Sequence, residues 1–155
     1  MSGPERSTGR FVVDTNVFVA AIKPFTKPGQ ESRKDTRALS LLVELIVNER
    51  VELVGSSRLV DEYRRYAEEL ESETANLLPT QLTDKMRVVE LDERALARCR
   101  RYLPADASAD VMHASASLQT GAILITNDRD FDRIRRSGLI QVWSIGEAMG
   151  RLLQG

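Results

Sequence analysis

The sequence predicts one α/β domain, a mostly parallel sheet covered by helices on both faces. Short runs rich in Val, Ile and Leu alternate with stretches of helical periodicity along the chain, the order that crossover helices impose on parallel strands. Apolar residues make up 42% of 155 positions, enough to bury one sizeable core and too few residues for several domains. Some Pro and Gly residues mark the ends of the periodic stretches, and no internal repeat or low-complexity tract interrupts them.

Strands are expected at 10–14, 51–55, 88–91, 122–126 and 140–143, each short and β-branched or aliphatic. Helical spacing fills 17–22, 36–49, 57–72, 78–86, 93–103, 108–120, 129–136 and 145–153. Gly121 and Gly138 stand where two of these helices should stop, and Pro79 and Pro104 mark boundaries. Residues 1–9, within "MSGPERSTGR", read as a frayed polar tail, leaving 10–155 as the domain.

Composition narrows the chemistry. That polar start carries no apolar h-region, and no apolar run nears the ~20 residues of a membrane span, so a cytoplasmic protein is expected. Cys99 is the only cysteine, which rules out an intrachain disulfide and any Cys-rich zinc site. It shares a helical stripe with Ala95, Leu96, Tyr102 and Leu103, as a packed thiol would. Any Ser-His-Asp or Cys-His mechanism would have to run through His113, the only histidine, whereas carboxylate and metal chemistry would not need it. A net charge of −1 argues against coating duplex DNA by bulk electrostatics. Lys23, Lys27, Arg33 and Lys34 in one stretch, and Arg129, Arg133, Arg135 and Arg136 in another, are local basic groups that permit nucleic-acid contact; solvated surface explains them equally well.

The acids carry more information. "RFVVDTNVFVAA" puts Asp14 at the end of the first strand, either as the N-cap of the next helix or as one of several carboxylates at a sheet edge. In parallel sheets, ligands gather beyond the carboxyl ends of the strands. "AILITNDRDF" repeats the arrangement, with Thr126, Asn127 and Asp128 following the fourth strand. In "SSRLVDEYRRYAEEL", Leu59, Tyr63, Tyr66 and Leu70 form an apolar stripe. At about 100° per residue, Glu62 lies beside that stripe and can lean along the body, while Asp61 faces water. Asp110 similarly flanks the stripe of Val111, Ala114 and Leu118; its place near a helix start also suits the helix dipole.

Taken together, "VVDTNVFVAA", "SSRLVDEYRRY" and "DVMHASASLQTGAILITNDRDF" resemble the PIN domain family, the nucleases that include the VapC toxins. The resemblance implies a three-layer α/β/α domain whose parallel sheet has the order 3-2-1-4-5, so that Asp14 and Asp128 flank one cleft. Carried over by motif, the acidic cluster falls on Asp14, Glu62, Asp110 and Asp128, with Asn16 and Thr126 as assisting polar residues. Asp130, with Asp106 and Asp132, adds acids near the cluster, and the stretch around 23–35 looks like a long loop. The implied activity is hydrolysis of RNA phosphodiester bonds, whether as a toxin or in RNA processing.

Carboxylates brought together repel one another unless a cation neutralises them. An oxygen-rich site with no Cys and at most one His suits Mg²⁺ or Mn²⁺ better than zinc. Asp14, Asp110 and Asp128 are accordingly expected to bind metal, and Glu62 to bind metal or to position water. Expected partners are single-stranded or structured RNA, an antitoxin protein if the chain is a toxin, and a second copy of the chain; the small run Ala114 to Ser117 is expected to let its helix pack closely on the sheet, with a homodimer contact there as the alternative. His113, three residues after Asp110, is placed either near the cleft rim or, as the weightier reading, on the surface or partly buried in a structural role. Two other readings stay open. An inactive PIN-like RNA-binding or assembly subunit would be expected to lose some motif acids, and a haloacid-dehalogenase-type phosphatase would need an acid where Asn16 stands.

Overall fold

In a computed structural model, residues 9–26, 36–69 and 73–153 are described. The element order is β1 (Gly9–Val13), α1 (Thr15–Thr26), α2 (Thr36–Val47), β2 (Val51–Gly55), α3 (Ser57–Glu69), α4 (Glu73–Lys85), β3 (Arg87–Val88), α5 (Glu93–Arg100), α6 (Ser108–Thr120), β4 (Ile123–Ile125), a single 3-10 turn (Arg129–Phe131), α7 (Asp132–Ser137), β5 (Val142–Trp143) and α8 (Ile145–Leu152). The five strands form a parallel sheet of order β3-β2-β1-β4-β5.

β1 sits at the centre because Phe11, Val12 and Val13 are apolar on both faces and all three are buried. Its register sets Phe11 beside Leu53 of β2 and Val13 beside Ile125 of β4. One layer is α6, lying across β1, β2 and β4 with α5 on its outer side. The other is built on α2, which meets α1, α4 and α8. α3 touches α1, α4 and α6 and so bridges the layers. Tyr63 anchors it, its buried hydroxyl donating to the Val13 carbonyl at 2.5 Å. Cys99 is buried as expected, and no described helix is long and apolar enough to cross a membrane.

Gly121 and Gly138 do end α6 and α7, with φ of 75° and 79°, the left-handed region that glycine enters without penalty. Several boundaries differ from expectation. Pro79 lies inside α4, which starts at Glu73 and absorbs one missing hydrogen bond to residue 75 in its first half. α1 spans 15–26 and not 17–22, since the Asp14 carbonyl already accepts from the Val17 N–H at 3.0 Å; residues 23–26 are therefore helix, while 27–35 lie outside the described residues. The expected strand 88–91 pairs only at Arg87 and Val88, continued by one Val89 N–H to Gly55 carbonyl bond at 2.9 Å. The strand expected at 140–143 pairs only at Val142 and Trp143. The helix expected at 129–136 opens as a 3-10 turn because the Asp128 carboxylate accepts from the Asp130 N–H at 2.9 Å. α5 stops at Arg100, leaving Tyr102 and Leu103 in a turn. Gly9 already belongs to β1, opposite Val51. Residues 1–8, with most of the expected tail, and Leu70 lie outside the described residues.

Candidate active site

The chain leaves β1 and β4 side by side, so Asp14 and Thr126 emerge together at the carboxyl edge of the sheet. The Thr126 hydroxyl donates to Asp14 Oδ2 at 2.7 Å. It also accepts from the Asp128 N–H at 3.0 Å and from Asn16 Nδ2 at 3.3 Å. One hydroxyl thus ties together the residues after two strands, with Asn16 and Thr126 both bonded at this edge. Asp14 is buried. Burial raises its pKa, against lowering by His113, the Thr126 hydroxyl and the Thr15 N–H.

α6 brings Asp110 in from one side, and α3 brings Glu62 from the other. Oxygens of Asp110, Asp128 and Asp130 lie within 4.8 Å of one another. Desolvation, followed by the charges of Asp14 and Asp128, pushes the Asp110 carboxyl up to about 6. Asp14 and Glu62 line the same cleft, of about 310 Å³, but stand outside that tight group. Asp106 is exposed in the turn before α6, and Asp132 pairs with Arg135 at 3.4 Å, so neither joins the cluster.

Glu62 is held differently. Its Oε1 accepts from the Thr15 hydroxyl and meets His113 Nε2 at 3.1 Å, and its Oε2 accepts from Arg58 Nε at 3.3 Å. Burial alone would raise its pKa; the bonds from His113, Thr15 and Arg58 outweigh it and bring the carboxyl down to about 2. Asp61, one residue earlier, is exposed, as the helical geometry required. His113 corrects an expectation: it is buried to 1% exposure at the cleft wall, not at the surface, with Nδ1 unpartnered among the described residues. α6 is enclosed on most of its circumference by the sheet, α5 and α3, so burial extends beyond the Val111–Ala114 stripe to His113. The Thr15 and Arg58 contacts were missed as well. Arg58 precedes Glu62 by four residues, a helical pairing readable from the sequence, but only tertiary structure brings Thr15 to Glu62. Ala114 to Ser117 are all buried within the chain, between the sheet and α5, so that run offers no face to a second copy.

The donor set fits a hard divalent ion. It offers carboxylate oxygens only, and a cation would relieve the repulsion from Asp14 and Asp128 that adds to desolvation in raising the Asp110 carboxyl.

A three-layer α/β/α domain with clustered acids at the carboxyl edge of a 3-2-1-4-5 sheet defines the class. The PIN domain model matches residues 11–137, and the chain belongs to that family. This excludes the haloacid-dehalogenase alternative. Solved structures share the fold. FitAcB from Neisseria gonorrhoeae is 19% identical, with a TM-score of 0.57 over 88% of this chain and 98% of that one. VapBC2 from Rickettsia felis, bound to a DNA fragment from its promoter, is 17% identical, with a TM-score of 0.56 over 87% and 98%. VapBC-5 from Mycobacterium tuberculosis, a member of the VapBC family of toxin-antitoxin systems, is 18% identical, with a TM-score of 0.52 over 88% and 98%. Compared with curated protein sequences, the chain has no match.

Proposed function

We propose that this protein is an endoribonuclease that hydrolyses RNA phosphodiester bonds with Mg²⁺ or Mn²⁺. The observation that carries the reading is the convergence of Asp14, Asp110, Asp128 and Glu62 on one cleft, from four separate elements of a PIN-family fold. Asp110 and Asp128, with Asp130 and the neighbouring Asp14, would hold the ion. Bound there, a divalent ion would lower the pKa of a water and stabilise charge on the phosphodiester oxygens.

The protein's own groups orient the reaction. Three donors keep Glu62 ionised and immobile, and a carboxyl near pKa 2 is a poor proton acceptor but a good hydrogen-bond acceptor. Its role is therefore to orient the attacking water. Thr126 fixes Asp14 against the other strand end, so that the cluster needs little rearrangement to receive its ligand. Arg65 and Tyr66 at the cleft wall face the incoming strand.

In the cell, an antitoxin partner is the reading that VapBC-5 supports, being itself a member of a toxin-antitoxin family, and a homodimer using a surface other than Ala114–Ser117 is compatible with it.

The test is cleavage of a labelled single-stranded RNA by the wild type and by Asp14→Asn, with Mg²⁺, Mn²⁺ or EDTA, followed by mapping of RNA ends in cells expressing each. Cleavage should require both the metal and Asp14. Metal binding without cleavage would support the inactive-subunit reading, and EDTA-resistant cleavage that survives Asp14→Asn would exclude this mechanism.

A further inference from the structure

Beside the acidic cleft lies a second groove, of about 390 Å³, lined by Tyr102, Leu103 and Pro104 on one side and by Arg129, Asp130, Asp132, Arg133 and Arg136 on the other. The two concavities adjoin at Asp130, whose carboxylate belongs to the acidic cluster while its residue walls the groove. Of the groove's two acids, Asp132 is paired with Arg135, and the Asp130 carboxylate lies toward Asp110 and Asp128 at the acidic cluster. Arg129, Arg133 and Arg136 have no carboxylate partner among the described residues. All three are exposed, and the Arg133 guanidinium lies 5.9 Å from the centre of the Tyr102 ring.

We infer that this groove is the subsite for the RNA strand leaving the cleft, with Arg133 and Arg136 on phosphates and a nucleobase stacked on the Arg133–Tyr102 pair. The chemistry matches a single strand more closely than a duplex. Guanidinium planes and aromatic rings receive unstacked bases, and unpaired guanidinium groups take phosphate oxygens bidentately. The placement is rigid as well. Asp128 caps the 3-10 turn that feeds α7, so the arginines stand at a fixed register from the cluster, and Ile134 on the opposite side of α7 is fully buried. An acidic site repels a polyanion, and a basic, stacking platform next to it supplies the affinity the site cannot.

The inference rests on the ribonuclease reading, and the experiment separates the two. Binding of a fluorescein-labelled 12-nucleotide single-stranded RNA to the full chain carrying Asp14→Asn is followed by anisotropy across a salt series, with Mg²⁺ present. Arg133→Gln with Arg136→Gln is compared with Arg50→Gln with Arg94→Gln, an equal charge change at exposed sites outside both concavities. The groove pair should weaken binding about tenfold or more and lower the slope of log Kd against log salt by about 1.4, at roughly 0.7 per lost phosphate contact. In an otherwise wild-type chain the same pair should raise KM and leave kcat within about twofold, as loss of uniform binding does. Arg133→Lys with Arg136→Lys should restore the salt slope but not the full affinity, because ammonium groups do not stack. If RNA binds but both Gln pairs behave alike, or the groove pair binds like its parent, the groove is not the subsite and the nuclease reading stands. If RNA binds none of the proteins at any salt, both fall.

Discussion

Removing the Asp110 carboxylate from the cluster should stabilise the metal-free protein. The Asp110 carboxyl rises from 3.8 to about 6 because desolvation and the charges of Asp14 and Asp128 disfavour ionisation. Two units correspond to about 3 kcal/mol at 1.36 kcal/mol per unit. Asp110 is only half-buried, so solvent screening reduces this to about 1–2 kcal/mol. A raised acid pKa leaves the fold unburdened below the unfolded value and costs stability as pH climbs through the folded one. In EDTA, Asp110→Asn should thus melt about 2–8 °C above the wild type at pH 8, at ~2–4 °C per kcal/mol for a chain of this size. The advantage should shrink through pH 6 and vanish near pH 4, where both proteins are neutral at this position. Mn²⁺ at a hundred times its Kd adds about 2.7 kcal/mol to the wild type. The variant, lacking one ligand, should gain less, so the order of the two melting temperatures narrows or reverses. Differential scanning calorimetry in EDTA and in Mn²⁺ at pH 4, 6 and 8 measures all of this. Equal melting temperatures in EDTA at pH 8, or a gain at pH 4 as large as that at pH 8, would refute the electrostatic account of the cluster.

Glu62 has the opposite sign. Its depressed pKa contributes stability above the unfolded value of 4.5 that is lost as pH falls through about 2. Glu62→Gln should therefore cost about 1–2 kcal/mol at pH 7 and cleavage by about 10²-fold or more. Asp61→Asn, exposed on the next face, should change stability by less than about 0.5 kcal/mol and leave cleavage of the same labelled RNA intact; equal losses in the two would show that Glu62 is outside the site. His113→Leu removes one donor from Glu62 and should lower the cleavage rate about 10–100-fold, the usual cost of losing an orienting partner, while His113→Gln, which can present an N–H at the same distance, should recover most of it. If both substitutions act alike, the histidine serves packing alone. Lys85 donates to the carbonyls of Leu45, Ile46 and Asn48 at the end of α2, at 2.5, 3.1 and 2.9 Å. Lys85→Met should lower the urea midpoint by the equivalent of about 1–2 kcal/mol with cleavage unchanged.

Much of this protein was legible in one dimension because period and punctuation are local properties. The alternation of strand and helix, the left-handed glycines 121 and 138, the burial of Leu59 and Tyr63 and the outward turn of Asp61 follow from 3.6-residue geometry and from backbone sterics, which need no distant neighbour. The position of Asp14 after one strand and Asp128 after another was also readable, and with it the suspicion that they meet. Tertiary structure decided the rest. Pro79 stands inside α4 because the helix begins at Glu73, five residues before the start that its local periodicity suggests. β3 pairs at only two residues, since strand length depends on its partner's offered edge, not on its own β propensity. Glu62 and Asp110 are both half-buried carboxylates beside helical stripes, yet one is drawn to about 2 and the other pushed to about 6. Within their own segments only Arg58, four residues before Glu62, separates them. The rest of the difference comes from what the fold brings opposite each: Thr15 and His113 donate to Glu62, while Asp14 and Asp128 face Asp110. A carboxylate's charge state is a property of its neighbours across the cleft, and those lie 47 to 51 residues away for two of Glu62's partners and 96 for Asp14 from Asp110.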